Sequence, residues 1–238
     1  MIRVVGVGPG DRAGRTAAAT AAIIGADVLV GYSVYIDLIR AECPATPVYQ
    51  NGMFGEADRC REALRLSREG LSVAVVCSGD AAVYGMASLI LELADESDDV
   101  EVIPGVTAAL AASAILGAPL SGDFAVVSLS DLLTPWEMIE RRLDAAAMGD
   151  FCLALYNPSS RKRAGHLARA VDILLRRRSP DTPCGWARNI GRDGQSSKLL
   201  TLAELRGESL DMFTTVIIGN GATVIRHGRL VTPRGYHI

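Results

Sequence analysis

With 238 residues, 49% of them hydrophobic and 21% charged, the chain has an ordinary globular composition and can bury one large or two smaller α/β cores. Its net charge of −3 gives no bulk attraction to nucleic acid or a membrane surface, and no apolar run approaches the ~20 residues that span a bilayer. Five cysteines without a Cys-x-x-Cys spacing argue against a metal cluster and for reduced thiols in the cytoplasm; no signal peptide is expected.

The first expected element is a strand, Ile2 to Gly6, breaking into Gly6-Val7-Gly8-Pro9-Gly10-Asp11. Glycines there permit positive φ and close backbone approach, and Pro9 stiffens the turn. Thr16 suits the N-cap of a helix over Ala17 to Gly25, so the loop joins a strand's carboxyl end to a helix's amino end. A dinucleotide fingerprint is not met: Asp11 stands at the third glycine, and the next strand, Asp27 to Val30, runs into Gly31-Tyr32 with no acid. A phosphate loop is not met either, for no Gly-Lys-Ser/Thr follows. A turn that merely packs helix on sheet stays open.

Helical patterns follow over Tyr35 to Ala41 and Glu56 to Arg68, then a strand at Val73 to Cys77, a helix over Val83 to Leu93, a strand at Val100 to Ile103 and a helix over Val106 to Leu116. This alternation implies a parallel sheet covered on both faces. The breaker-rich stretch Gly117 to Asp123 is the expected domain boundary, giving domains 1–118 and 119–238. Beyond it come strands at Phe124 to Leu129 and Phe151 to Tyr156 around a helix from Pro135 to Ala147, and an amphipathic helix from Arg163 to Arg177. Strands at Cys184 to Arg188, Ser197 to Thr201 and Thr214 to Ile218, then a hairpin turning at His227-Gly228, predict a mixed or antiparallel sheet.

Chemistry is expected where buried strands stop. Val73 to Cys77 runs into Ser78-Gly79-Asp80, Val102-Ile103 into Pro104-Gly105-Val106-Thr107-Ala108-Ala109, and Leu153 to Tyr156 into Asn157-Pro158. In an open α/β sheet such ends border one crevice, and small residues with a single acid suit a flat organic ligand whose charge is not a phosphate.

These segments carry a resemblance. Val5 to Asp11, Ser78-Gly79-Asp80, Ile103 to Ala109 and Ile217-Ile218-Gly219 resemble the class III, or tetrapyrrole, methylases, which use S-adenosylmethionine, and the resemblance covers essentially the whole chain. Gly31 to Tyr35, Gly79 to Ala87, Ser128 to Trp136, Tyr156 to Arg163, Arg188 to Arg192 and Pro233 to Tyr236 resemble the ring-contraction branch of cobalamin biosynthesis, which methylates C17 of precorrin-3B or its cobalt-bearing counterpart. The resemblance implies two α/β domains, a parallel-sheet N-terminal one and a mixed-sheet C-terminal one, with the cofactor in the cleft between them, and a homodimer.

It further implies that Pro9, Ser78, Gly79, Asp80, Val83, Thr107 and Ala108 surround the cofactor, with Tyr156, Asn157, Asn189 and Gly219 from the second domain. Asp80 can take a cationic amine or a ribose hydroxyl, or cap the helix that follows, and Gly79 should pass close to the cofactor with no room for a side chain. Methyl transfer from a sulfonium needs alignment and exclusion of water, and no metal. An anionic tetrapyrrole asks for local positive charge, for which Arg161, Lys162 and Arg163, with Arg12 and Arg15, are candidates against the alternative of solvated helix ends. Ring contraction calls for an acid or base: Asp11 is the choice among Asp11, Tyr35, Asp131 and His237, Ser33 standing where the uroporphyrinogen branch carries an acid. Ser33, Tyr35 and Asp131 are also substrate-side candidates, whereas His166 reads as packing or surface and His227 as a turn residue. A sister methylase acting on C11 or C20, or a class III methylase of ribosomal RNA, remains an alternative; the acidic balance disfavours the latter.

Overall fold

In a computed structural model, which describes residues 1–160 and 163–236, packing divides the chain into two units, Met1–Ala108 and Ala109–Ile238. The first runs β1 (Ile2–Gly6), α1 (Ala17–Ile24), β2 (Val28–Tyr32), α2 (Ser33–Asp37), β3 (Val48–Asn51), α3 (Glu56–Arg68), β4 (Val73–Cys77), α4 (Ala87–Leu93) and β5 (Val100–Ile103). Its strands form one parallel sheet in the order β3-β2-β4-β1-β5. Alternate residues feed two cores: Val4, Val30, Val73 and Val75 pack under α3 and α4, while Val5, Leu29, Ala74 and Val76 pack under α1 and α2. Burial on both faces is why β4 reads as an unbroken apolar run, and β1 as one broken only by Arg3.

The second unit runs α5 (Ala108–Leu116), β6 (Gly117–Ala118), β7 (Phe124–Ser128), α6 (Trp136–Met148), β8 (Cys152–Tyr156), α7 (His166–Leu174), β9 (Pro183–Arg188), β10 (Ser196–Thr201), α8 (Leu202–Leu205), β11 (Thr214–Ile218), β12 (Val224–Arg226) and β13 (Arg229–Val231). The sheet β10-β9-β11-β8-β7 is mixed: β7 and β8 are parallel, and β11 runs antiparallel to both β8 and β9. One face carries Leu153, Leu155, Val216 and Ile218 against α6, α7 and α8. On the other, Ala154, Ala187 and Ile217 meet Ala109, Ala112 and Leu116 of α5 and Leu230 of β13. Helix α5 from Ala109 onward therefore packs with the second sheet, and the division by packing falls after the first residue of this helix, whereas the expected break is at 118/119. A small sheet, β12-β13-β6, completes the unit, with the expected hairpin at His227-Gly228.

Candidate functional site

In the first unit β4, β1 and β5 are neighbours, so the three small-residue loops leave the same edge of the sheet side by side. Gly8 and Gly79 exchange both backbone hydrogen bonds, at 3.0 and 2.8 Å. A Cβ on Gly105 would stand 2.2 Å from Gly79 O and 2.5 Å from Gly6 O, and one on Gly6 2.7 Å from Gly105 N. The glycines at 6 and 105 are thus required by backbone-to-backbone approach. At Gly79 a Cβ would meet no protein atom closer than Ala108 N at 3.6 Å, and within the protein its φ of +68° is what calls for glycine.

Asp80 ties the second loop to the third. Oδ1 accepts from Ala82 N (2.8 Å) and Val83 N (3.0 Å), and Oδ2 accepts from Gly105 N (2.9 Å). Three of a carboxylate's roughly four acceptor positions are thereby filled. The helix starts only at Ala87, so Asp80 holds the turn over 81–86 and not the helix itself. That turn keeps Val83 half-buried and puts Tyr84 at φ +55°. Thr16 caps α1 as expected, accepting from Ala19 N, and donates to Pro104 O at 3.2 Å, which joins the first helix to the third loop. Pro9, Ser78, Thr107 and Ala108 are all half-buried on these loops.

Asp11 is exposed and closes its own turn, Oδ1 accepting from Gly14 N at 2.8 Å. Arg15, buried, and Arg12 both pair with Glu42, at 2.9 and 3.6 Å. Ser33 and Tyr35 lie on α2, where the rings of Tyr32 and Tyr35 meet edge to face at 5.2 Å. Just before Ser78, burial pushes the Cys77 thiol up to about 11, which leaves it a packing group rather than a nucleophile.

In the second unit Tyr156 and Asn157 end β8, and Asn189 follows β9. Thr214, at the start of β11, faces Arg188 across that pairing, which sets these residues at one edge of the sheet. Tyr156 Oη accepts from Ala109 N at 2.7 Å, satisfying a first-turn donor of α5. Asn157 (φ +53°) donates to Ser128 Oγ at 3.0 Å, and Asn189 (φ +50°) is likewise left-handed, as asparagine tolerates. Gly219 is not brought to them. It ends β11, which runs the opposite way, and lies at the far edge, where its carbonyl accepts from the buried Arg178 at 2.5 Å.

Asp131 lies in the β7–α6 connection with its Oδ2 3.6 Å from Nε2 of His166, the first residue of α7. His166 Nδ1 is 2.9 Å from the Leu129 carbonyl, its ring lies 4.7 Å from Trp136, and Arg169 covers the indole at 4.2 Å. Along the chain His166 reads as surface or packing within a helix expected from Arg163, whereas the helix opens at His166 itself. Arg163 donates from Nε to Ser160 Oγ. Arg161, Lys162 and His237 lie outside the described residues. Among the described residues no group of three His, Cys, Asp or Glu is placed to hold a metal ion, and no helix is long and apolar enough to cross a membrane.

A family model described as tetrapyrrole (corrin/porphyrin) methylases matches residues 1–206. The chain is 46% identical over 239 residues to a protein of Salmonella typhimurium named "Probable cobalt-factor III C(17)-methyltransferase", covering 99% of each. It is 40% identical to the "Cobalt-factor III methyltransferase" of Priestia megaterium, covering 98% of this chain and 44% of that protein. The crystal structure of the methyltransferase CobJ superposes with a TM-score of 0.89 at 36% identity, over 98% of this chain and 99% of that one.

Proposed function

The chain belongs to the tetrapyrrole methylase family, and from that premise we propose that it is an S-adenosylmethionine-dependent enzyme methylating C17 of cobalt-factor III or precorrin-3B, with ring contraction, in cobalamin biosynthesis. The observation that carries the reading is the knitting of Gly6, Gly8, Gly79 and Gly105 into one backbone surface, in a chain similar from end to end to named C17-methyltransferases. The open space over Gly79, where a side chain is disfavoured by φ and not by crowding, suits close approach of a cofactor. Bound there, S-adenosylmethionine supplies an electrophilic methyl group.

The residues of the chain then do the holding. Asp80 fixes the second loop against the third, so backbone groups of 78–80 and 104–108 keep one geometry as the ligand enters. Pro9, Ser78, Val83, Thr107 and Ala108 line that ground; for Tyr156, Asn157 and Asn189 the same assignment rests on the resemblance. Asp11 remains the candidate for the acid or base on the first loop, and Ser33, Tyr35, Asp131 and Arg163 for the substrate side. The proposed assembly is a cytoplasmic homodimer with no nucleic acid partner.

The test is incubation with carbon-13 methyl donor and, separately, cobalt-factor III and precorrin-3B. Label at C17 of a contracted macrocycle is expected, and label at C11 or C20 would move the assignment to a sister enzyme. Calorimetry on chelator-treated protein should show binding of the donor and of S-adenosylhomocysteine. Sedimentation reports the dimer.

A further inference from the structure

The connection after β7, through Leu129, Asp131 and Trp136, meets the start of α7 at a single histidine. His166 Nδ1 lies 2.9 Å from the Leu129 carbonyl. A carbonyl only accepts, so Nδ1 carries the proton and the neutral ring keeps its lone pair on Nε2. That nitrogen faces the carboxylate of Asp131 at 3.6 Å. Two acceptors thus face each other, and the space between them is where a donated proton can be received. Trp136, under Arg169, fixes the ring plane. The His166 side chain is 12% exposed and that of Asp131 38%, so the gap opens outward.

The neighbouring surface is apolar. Leu132 and Leu133, directly after Asp131, are 61% and 98% exposed, the second being the most exposed large hydrophobic residue described. Leucines held out in water beside a proton acceptor suit a large flat organic substrate better than a packing role. Asp131 follows β7 and His166 follows β8, so the pair sits at the same edge of the sheet as Tyr156 and Asn157.

Resting on the proposed C17 methylation, we propose that His166, oriented by Leu129 and facing the Asp131 carboxylate, is the catalytic base of the ring-contraction step, which leaves Asp11 as the candidate acid. The O–H bond of a substrate hydroxyl or carboxyl group breaks and its proton passes to Nε2. The electron pair left on oxygen forms the new carbon–oxygen bond order while a ring carbon–carbon bond migrates to the carbon made electron-poor by methyl transfer. Nothing is oxidised or reduced from outside.

The experiment compares parent, His166→Gln and Asp131→Asn under single turnover with carbon-13 methyl donor and each tetrapyrrole, scoring C17 label and contraction separately by NMR. Contraction relative to C17 labelling should fall at least tenfold in His166→Gln, with labelled, uncontracted macrocycle accumulating. In Asp131→Asn, on an exposed loop whose loss threatens no core, the same ratio should fall in the same direction. The charged groups facing the ring are Asp131 and, across Trp136, Arg169. A parent-like contraction ratio in His166→Gln overturns the proposal. Absence of C17 label in the parent instead defeats the proposed function.

Discussion

Asp80→Asn tests whether the second loop is built by its carboxylate. In the structure both oxygens accept, Oδ1 from Ala82 and Val83 and Oδ2 from Gly105. An asparagine can satisfy only one side. Turned so that its oxygen meets Ala82 and Val83, it presents an NH2 to the Gly105 N–H; turned the other way, it presents donors to two donors. At least one hydrogen bond to a charged acceptor is lost, worth about 1.5–3 kcal/mol. Asp80 is only half-buried, so water repairs part of the orphaned donor and the lower half of that range is expected. Because the bonds hold the second loop on the third, affinity for S-adenosylmethionine should fall at least tenfold alongside, about 1.4 kcal/mol. Urea unfolding and calorimetry measure the two effects. A variant with parental stability and weakened binding would show the carboxylate acting on the ligand instead, and would refute the loop-holding role.

Gly105→Ala should cost about 1–3 kcal/mol and abolish measurable cofactor binding, since its Cβ would press on the backbone of Gly79 and Gly6, whereas Gly122→Ala, with nothing within 4 Å, should be neutral in urea unfolding within about 0.5 kcal/mol. Burial raises the thiols of Cys60 and Cys77 from about 9 to about 11 and that of Cys184 to about 12. The unfolded chain therefore sheds these protons first as pH rises: their contribution to stability is complete below about pH 9 and is lost progressively between about 9 and 12. Unfolding midpoints across that range report the loss, and a thiol reagent at pH 8 should leave the folded protein unlabelled and react with it in denaturant.

How far the fold was legible follows from how each element is buried. Strand β4 is covered on both faces, so its apolar run is continuous; β1, with Arg3 as its one break, and β11, ending Val-Ile-Ile, keep enough of such a run that their bounds were readable from residue type. Strand β3, Val48–Asn51, is a half-buried edge with no such run, and it was missed. Helix α8 is four residues long and rests on the Thr201–Glu204 capping box, too short for any periodicity. The segment 83–86 has helical apolar spacing, yet it is a turn, because Asp80 claims its first N–H groups and Gly85 lies so close to Ala81 O that a Cβ would stand 2.2 Å away.

The same reasoning separates the parts of the site that could be read from those that could not. A glycine loop after a buried parallel strand announces itself, because in a parallel sheet every carboxyl end faces the same edge; Gly6, Gly79 and Gly105 therefore meet. Gly219 also follows a buried apolar strand, and by residue type it is indistinguishable from them. Strand direction is what differs: β11 runs against β8 and β9, so the same local signal emerges at the opposite edge, beside Arg178 and not beside Tyr156. Direction is a property of pairing, fixed by which strands are neighbours, and no local pattern carries it. His166 shows the converse. Its partner Asp131 is 35 positions away in sequence, and only the parallel pairing of β7 with β8 brings the ends of those strands, and the loops after them, together. A residue that reads as helix packing along the chain becomes, once that pairing is formed, one half of a proton-accepting pair.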